Sequence, residues 1–189
     1  PRMTAQKILV TGTEGYLGSL LAPELLRAGH DVLAVDTGYY KAGWLYHGGD
    51  QTPRTLAKDL RHITAADLEG VDAVVHMAEL SNDPLGQLLP NITYDINHAG
   101  SVRLATLAKA AGVERFVYMS SCSVYGAGGG DVKDETSPVN PQTAYAECKV
   151  MVERDVLPLA DDTFSPVFLR NATAFGASPR MRFDIVLNN

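Results

Sequence analysis

Tyr145 and Lys149 stand one helical turn apart in the run Tyr145-Ala146-Glu147-Cys148-Lys149. In a helix both side chains fall on one face. A phenol titrates at about 10 in water, and an ammonium beside it favours the phenolate and lowers that value. Such a pair can take a proton from a hydroxyl group or return one. Pairs of these two residue types are frequent on helix surfaces, so the chemistry needs further elements to act with.

One such element lies near the start of the chain. The apolar run Ile8-Leu9-Val10-Thr11 breaks at Gly12, and Gly15 and Gly18 follow at three-residue steps before an apolar helical pattern begins. At a strand-to-helix turn the first glycine lets the chain reverse sharply. The second lets backbone approach a pyrophosphate, and the third lets the helix pack closely on the sheet. The first N–H groups of the helix, at its positive dipole end, then face the phosphates. The spacing is G-x-x-G-x-x-G, not the G-x-G-x-x-G of most dehydrogenases. Asp36 closes the next apolar run, where a carboxylate accepts both hydroxyls of an adenosine ribose. It would repel a 2′-phosphate, and Thr37-Gly38-Tyr39-Tyr40 brings no arginine to offset that. The expected cofactor is therefore NAD rather than NADP. Asp59 and Leu60 end a third run, where a carboxylate can meet the adenine amino group and a leucine can cover the ring.

Positioning these residues requires strands and helices in alternation. Strands are expected at Ile8–Thr11, Val32–Asp36, Arg54–Asp59, Ala73–Met77, Phe116–Ser120 and Val167–Arg170, and helices at Ser19–Ala28, Asn97–Ala111 and Ala144–Leu157. Gly29 and Gly112 are helix stops. Pro23 lies inside the first helix, where it removes one backbone bond. Residues 37–52 and 126–130 read as loops. The pattern implies βαβ units, and so an α/β fold with a doubly wound parallel sheet between two helical layers and right-handed crossovers.

The 189 residues are 46% hydrophobic and 20% charged, an ordinary globular composition that suffices for one domain, 1–189. A net charge of −6 argues against broad binding to nucleic acid or anionic membrane. No apolar run approaches the roughly 18 residues of a membrane span, and Pro1–Lys7 lacks the apolar core of a signal peptide. Cys122 and Cys148 make no disulfide framework, so a cytoplasmic location is expected, and no metal site is. The chain stops at Asp184-Ile185-Val186-Leu187-Asn188-Asn189, within sequence that reads as structured, as a fragment of a longer enzyme would.

Thr11-Gly12-Thr13-Glu14-Gly15-Tyr16-Leu17-Gly18, Asp59-Leu60, His76-Met77-Ala78, Asn97, Ser120-Ser121-Cys122-Ser123-Val124-Tyr125-Gly126 and Tyr145 to Lys149 occur in this order. Together they resemble the extended short-chain dehydrogenase/reductases, in particular the NAD-dependent nucleotide-sugar epimerase/dehydratase group. The resemblance covers nearly the whole chain and implies a Rossmann sheet. It implies that Gly12, Gly15, Tyr16, Leu17 and Gly18 line the pyrophosphate, and that Met77, Ala78 and Glu79 pass under the cofactor. Asn97 would support the active-site helix through a water or a backbone bond. Ser121 would complete a Ser-Tyr-Lys triad and hold the reacting sugar oxygen, Ser120 would touch the nicotinamide side, and Lys149 would hold the nicotinamide ribose. Arg170-Asn171-Ala172-Thr173-Ala174-Phe175-Gly176 resembles a stretch that faces substrate through Asn171 or Thr173, and Arg180 and Arg182 are forked donors suited to a nucleotide diphosphate or else surface charges. Asn188 and Asn189 sit where the family begins to grip its nucleotide, so the sugar-nucleotide part would begin around 171–189 and be cut short. Members often dimerise through a four-helix bundle, here the helices from Asn97 and Ala144.

Departures from the family shape the expectation. Cys122 and Ser123 replace the Asp-Glu pair of the 4,6-dehydratases, which disfavours dehydration and leaves redox chemistry at C4. Cys122 beside Ser121 is more ordinary as a buried small hydrophobe than as an acid or base. Glu79 stands where a small residue is usual, as a hydrogen-bonding partner of a ribose or substrate hydroxyl or as a solvated loop carboxylate. The expected activity is an epimerase that transiently oxidises C4 of an NDP-hexose. The alternatives are a 4-keto-sugar reductase or dehydratase of the same family, or a non-catalytic dinucleotide-binding sensor.

Overall fold

The computed structural model describes residues 4–47, 51–81, 86, 88–127 and 130–185. Strand β1 (Lys7–Thr11) alternates, with Leu9 packing into one buried cluster and Ile8 and Val10 into another on the opposite face. A strand buried on both faces needs cover on both. Helix α1 (Gly18–Arg27) covers one face through Ala22, against Ile8, Val10, Val32 and Ala73. The other face carries the larger core, in which Leu9, Val35, Val74, Phe116 and Tyr118 meet Leu104, Ala105, Ala108, Val152 and Val156. The last five belong to helices α3 (Ser101–Ala110) and α4 (Ala144–Val156).

The remaining strands are β2 (Asp31–Asp36), β3 (Arg54–Ala57), β4 (Ala73–His76), β5 (Arg115–Tyr118) and β6 (Ser165–Phe168). They pair in the order β3-β2-β1-β4-β5-β6, all in parallel. The order reverses between β1 and β4, and ligands of doubly wound sheets sit outside the carboxyl ends of the strands at such a switch point. The register aligns Thr11 with Val35 on one side and His76 on the other, and His76 with Tyr118, so these residues share one row at that edge.

Several element boundaries differ from the sequence expectation. The helix expected from Asn97 begins earlier, as α2 (Pro90–Thr93), and passes through a π-helical stretch at Tyr94–Gly100 before α3. β6 begins at Ser165 and includes Pro166. A proline is compatible with that strand because β6 lies at the sheet edge, where one side of the backbone needs no partner. β3, β4 and β5 end two, one and two residues early. At β4 the reason is visible: the Met77 and Ala78 N–H groups leave the ladder and donate to Thr11 Oγ1 at 3.0 and 3.1 Å. Asn188 and Asn189 lie outside the described residues.

Candidate active site

The glycine turn is built by contacts that exclude a side chain. Gly12 has φ +77° and donates its N–H to Val35 O at 2.8 Å. A Cβ on it would lie 2.9 Å from Ala78 N. A Cβ on Gly18 would lie 2.0 Å from Gly12 O. Gly15 closes the turn by donating to Gly12 O at 3.2 Å. The result is a backbone-walled cradle at the start of α1, the arrangement that suits a diphosphate. Leu17 is exposed, and Tyr16 donates its hydroxyl to Gly176 O at 2.8 Å. Asp36 accepts the Glu14 and Gly38 N–H groups, both at 2.9 Å, and so ties β2 to the turn. Glu14, not singled out from the sequence, brings a second and largely buried carboxylate there, paired with Lys41 at 3.2 Å. Asp59 accepts from Arg61, which also reaches Asp95 at 2.5 Å, and Leu60 is buried in the core.

Beneath the cradle runs a buried chain of donors. Thr11 Oγ1 accepts the N–H groups of Met77 and Ala78, so its own proton points to His76 Nδ1, 2.6 Å away. Nδ1 is therefore the acceptor nitrogen, and Nε2–H donates to Ser101 Oγ at 2.7 Å. Ser101 in turn donates to Asn97 O at 2.5 Å. The Asn97 amide clasps Leu80, accepting its N–H at 2.8 Å and donating to its carbonyl at 2.9 Å. Asn97 thus holds the loop after β4 through direct backbone bonds. Burial, with Lys149 adding to it, depresses His76 to about 3. The unfolded chain binds a proton near pH 6.5 that the fold refuses, so His76 contributes stability above that value which is lost as pH falls towards 3. Urea unfolding should show stability falling by up to about 1.4 kcal/mol per pH unit below pH 6. The slope should flatten in His76→Asn; an equal slope in both proteins would show that another group carries the effect.

At the carboxyl end of β5, Lys149 donates to Met119 O, two residues before Ser121. Its Nζ lies 4.4 Å from the centre of the Tyr118 ring and 5.2 Å from that of Tyr145. Thr143 caps α4 by accepting the Ala146 N–H at 3.2 Å, which sets Tyr145 in the first turn. Ser121 caps the short turn Cys122–Tyr125, its Oγ accepting the Ser123 N–H at 3.2 Å. Ser120 donates to Glu153 at 2.5 Å, and Glu153 is held by Arg170 at 2.7 Å. Cys122 is exposed, against the expectation of a buried thiol, while Cys148 is buried and pushed up to about 12 by burial first and Glu79 next. Glu79 corrects the sequence reading most. It is no solvated loop carboxylate: its side chain is 2% exposed, pairs with Lys149 at 2.7 Å and accepts from the Tyr118 hydroxyl.

The segment after β6 returns across the cradle. Asn171 bridges to Ser121, and Ser178 donates to Tyr16 O at 2.6 Å. Pro179 O accepts the Leu45 N–H at 2.8 Å. Arg180 and Arg182 are partly buried: Arg180 lies over the Tyr40 ring at 5.0 Å, and Arg182 pairs with Asp184 at 2.5 Å and reaches Ser81 at 3.3 Å. Asn171 and Thr173 are exposed. Among the described residues no group of acidic, histidine or cysteine side chains could hold a metal ion, and no helix is long and apolar enough to cross a membrane.

Comparison with known proteins agrees with this geometry. The UDP-glucose 4-epimerase of Lactobacillus helveticus is 34% identical over 181 residues, covering 91% of this chain and 53% of that protein. The human UDP-glucose 4-epimerase is 31% identical over 195 residues, covering 92% and 55%. The chain thus spans about half the length of these curated relatives. Among solved structures, MoeE5 in complex with UDP-glucose and NAD superposes with a TM-score of 0.79 at 29% identity, over 96% of this chain and 58% of that one. The NAD-dependent NDP-hexosamine 5,6-dehydratase TunA gives 0.79 at 28% identity, over 87% and 54%. Residues 8–187 match the description "NAD dependent epimerase/dehydratase family", and with a glycine cradle at the switch point of a parallel sheet, the chain belongs to that family.

Proposed function

We propose that this chain forms the cofactor-binding and proton-transferring part of an NDP-hexose 4-epimerase. The observation that carries the reading is the placement of Lys149: it is bonded to Met119 O, two residues before Ser121, and its Nζ lies 5.2 Å from the centre of the Tyr145 ring. Gly12, Gly15, Tyr16, Leu17 and Gly18 would hold the diphosphate of NAD, Asp36 the adenosine ribose, and Asp59 and Leu60 the adenine. Met77, Ala78 and Glu79 would lie beneath the cofactor, with Asn97 fixing that loop and Ser120 near the nicotinamide. NAD, when bound, supplies reversible acceptance of a hydride from carbon. Tyr145 takes the proton of the sugar 4-hydroxyl as the carbon is oxidised and returns it after the 4-keto sugar has turned over in the pocket. Ser121 holds the same oxygen by a hydrogen bond, and Lys149 holds the ribose and stabilises the phenolate. Asn171, Thr173, Arg180 and Arg182 would meet the nucleotide sugar, and the helices of 90–110 and α4 would form a homodimer interface.

The test is to incubate the protein with NAD and UDP-glucose, then other NDP-hexoses, and to follow the anomeric protons by NMR. A 4-epimer formed without net NADH supports the reading. Stoichiometric change in NADH would replace it with a reductase, and no turnover of any NDP-hexose would overturn it.

Cofactor choice gives a separate check at Asp36. NAD should raise the melting temperature more than NADP at equal concentration, because a ligand that binds only the folded state stabilises it. Asp36→Ala should weaken NAD about tenfold, the scale of hydrogen bonds to a charged acceptor. A larger shift with NADP in the unaltered protein would contradict the assignment.

A further inference from the structure

Two carboxylates and one ammonium meet where β2 ends. Asp36 accepts the Glu14 N–H at 2.9 Å, and Glu14 Oε1 pairs with Lys41 Nζ at 3.2 Å. The same ammonium lies 3.9 Å from the centre of the Trp44 ring, and the Trp44 indole N–H donates to Glu14 O at 3.0 Å. Glu14 thus holds Lys41 directly through its carboxylate and indirectly through its own carbonyl. The pair is asymmetric: the Glu14 side chain is 12% exposed and that of Lys41 51%. Glu14 Oε2 is buried and has no hydrogen-bonding partner among the described residues. It faces the chain just past Asp36, 3.7 Å from where a Cβ on Gly38 would stand. A buried acceptor left unmatched is costly, so this oxygen suits a donor brought by a ligand.

We propose that Glu14 is a specificity-determining residue for the dinucleotide: it masks Lys41, an ammonium otherwise placed to hold a 2′-phosphate, and so keeps NADP out. The inference rests on Asp36 meeting the adenosine ribose. A ribose hydroxyl carries a proton that Glu14 Oε2 can accept. A 2′-phosphate carries about 1.5 to 2 negative charges and strong acceptor oxygens, so it offers that carboxylate no donor and is repelled by it. Asp36 by itself does not settle the choice, because Lys41 follows it by five residues and one ammonium balances one carboxylate. With Glu14 present, two carboxylates face one ammonium, and that ammonium is already engaged. A neutral residue in place of Glu14 leaves Asp36 and Lys41 alone. The half-exposed lysine is then free to turn, and its compact charge on a flexible stem suits a phosphate. Arg180, over the Tyr40 ring at 5.0 Å, is a second cation beside this loop, and removing Lys41 tells the two apart.

The test measures binding alone and needs no sugar. Melting of the full chain is followed against rising NAD and rising NADP, and the concentration dependence gives each Kd. In the unaltered protein NADP should bind at least about tenfold more weakly than NAD. Glu14→Gln keeps the side-chain length and the backbone bonds to Asp36 and Trp44. It should lower the NADP-to-NAD ratio of Kd by about tenfold or more. Adding Lys41→Met should reverse most of that gain. A ratio that moves by no more than about threefold in Glu14→Gln, the scale of an ordinary surface ion pair, overturns the proposal. A gain that survives intact without Lys41 overturns it too, since Lys41 would then not be the masked anchor. If Glu14→Gln does not fold, Glu14→Ala frees the same ammonium and decides by the same outcomes. An unaltered protein that prefers NADP would refute the roles of both Asp36 and Glu14. Preference for NAD that Glu14→Gln leaves unmoved refutes Glu14 alone. A ratio that shifts as stated in a protein that turns over no NDP-hexose would uphold the role of Glu14 and reject the epimerase.

Discussion

If the proposed epimerisation holds, Tyr145→Phe should lower its kcat/KM by about 10³-fold, within the range for removing a positioned general acid–base group, and leave NAD binding almost unchanged. Phenylalanine keeps the ring that packs 5.2 Å from Lys149 and deletes only the hydroxyl. The Thr143 cap and the Lys149–Met119 bond do not involve that oxygen, so α4 should keep its place. The contrast with Lys149→Met is instructive. Removing the lysine leaves the Glu79 carboxylate buried without its cation, and an uncompensated buried charge is among the costliest of single changes. That variant should lose stability as well as activity, and its kinetics alone would not separate the two. The phenylalanine variant does separate them: an equal melting temperature, an equal shift with NAD and a collapsed turnover. Turnover within tenfold of the original protein would mean that another group moves the proton and that the mechanism drawn around Tyr145 is wrong.

What could be read from the sequence follows a physical division. β1, β2 and β4 are short apolar runs that end at Gly12, Asp36 and His76-Met77, and such endings are local signals. The glycines carry their reason in their own spacing, since each marks a place where backbone meets backbone. The Tyr145–Lys149 pair is likewise local, one turn of one helix. The π-helical stretch was not legible, because nothing in Tyr94-Asp95-Ile96-Asn97-His98-Ala99-Gly100 departs from an ordinary helical pattern. Its reason is tertiary: Asn97 must reach Leu80, and Ser101 must reach His76. Glu79 was visible as a departure but not as a partner of Lys149, because the two are brought together only by the pairing of β4 with β5 and the packing of α4 on them. Glu14 was hidden for the same reason, since its cation, Lys41, comes from the loop after β2. Long-range ion pairs leave no trace in local pattern, whereas turns and helix faces do.

Gly18→Ala should destabilise the fold more than a comparable change at any solvent-facing glycine, and should weaken NAD binding with it. The added methyl would sit 2.0 Å from Gly12 O, 2.7 Å from Thr13 Cα and 2.8 Å from Gly12 C. All three are backbone atoms of the turn, so no side chain can swing aside to make room. Either α1 retreats from the sheet, opening the cluster of Ile8, Val10, Ala22 and Val32, or the turn deforms and its N–H groups leave their orientation. Forced overpacking of this kind costs about 3 kcal/mol, which for a chain of this length lowers the melting temperature by roughly 6–12 °C. Gly29→Ala is the matched control. Gly29 has φ +91° and nothing within 4 Å of an added Cβ, so it should show only the backbone penalty of a left-handed residue, about 1–2 kcal/mol, and bind NAD as before. If Gly18→Ala melted no lower than Gly29→Ala and held NAD equally well, the third glycine would not be the packing hinge between turn and helix. The cradle would then owe its shape to Gly12 and Gly15 alone.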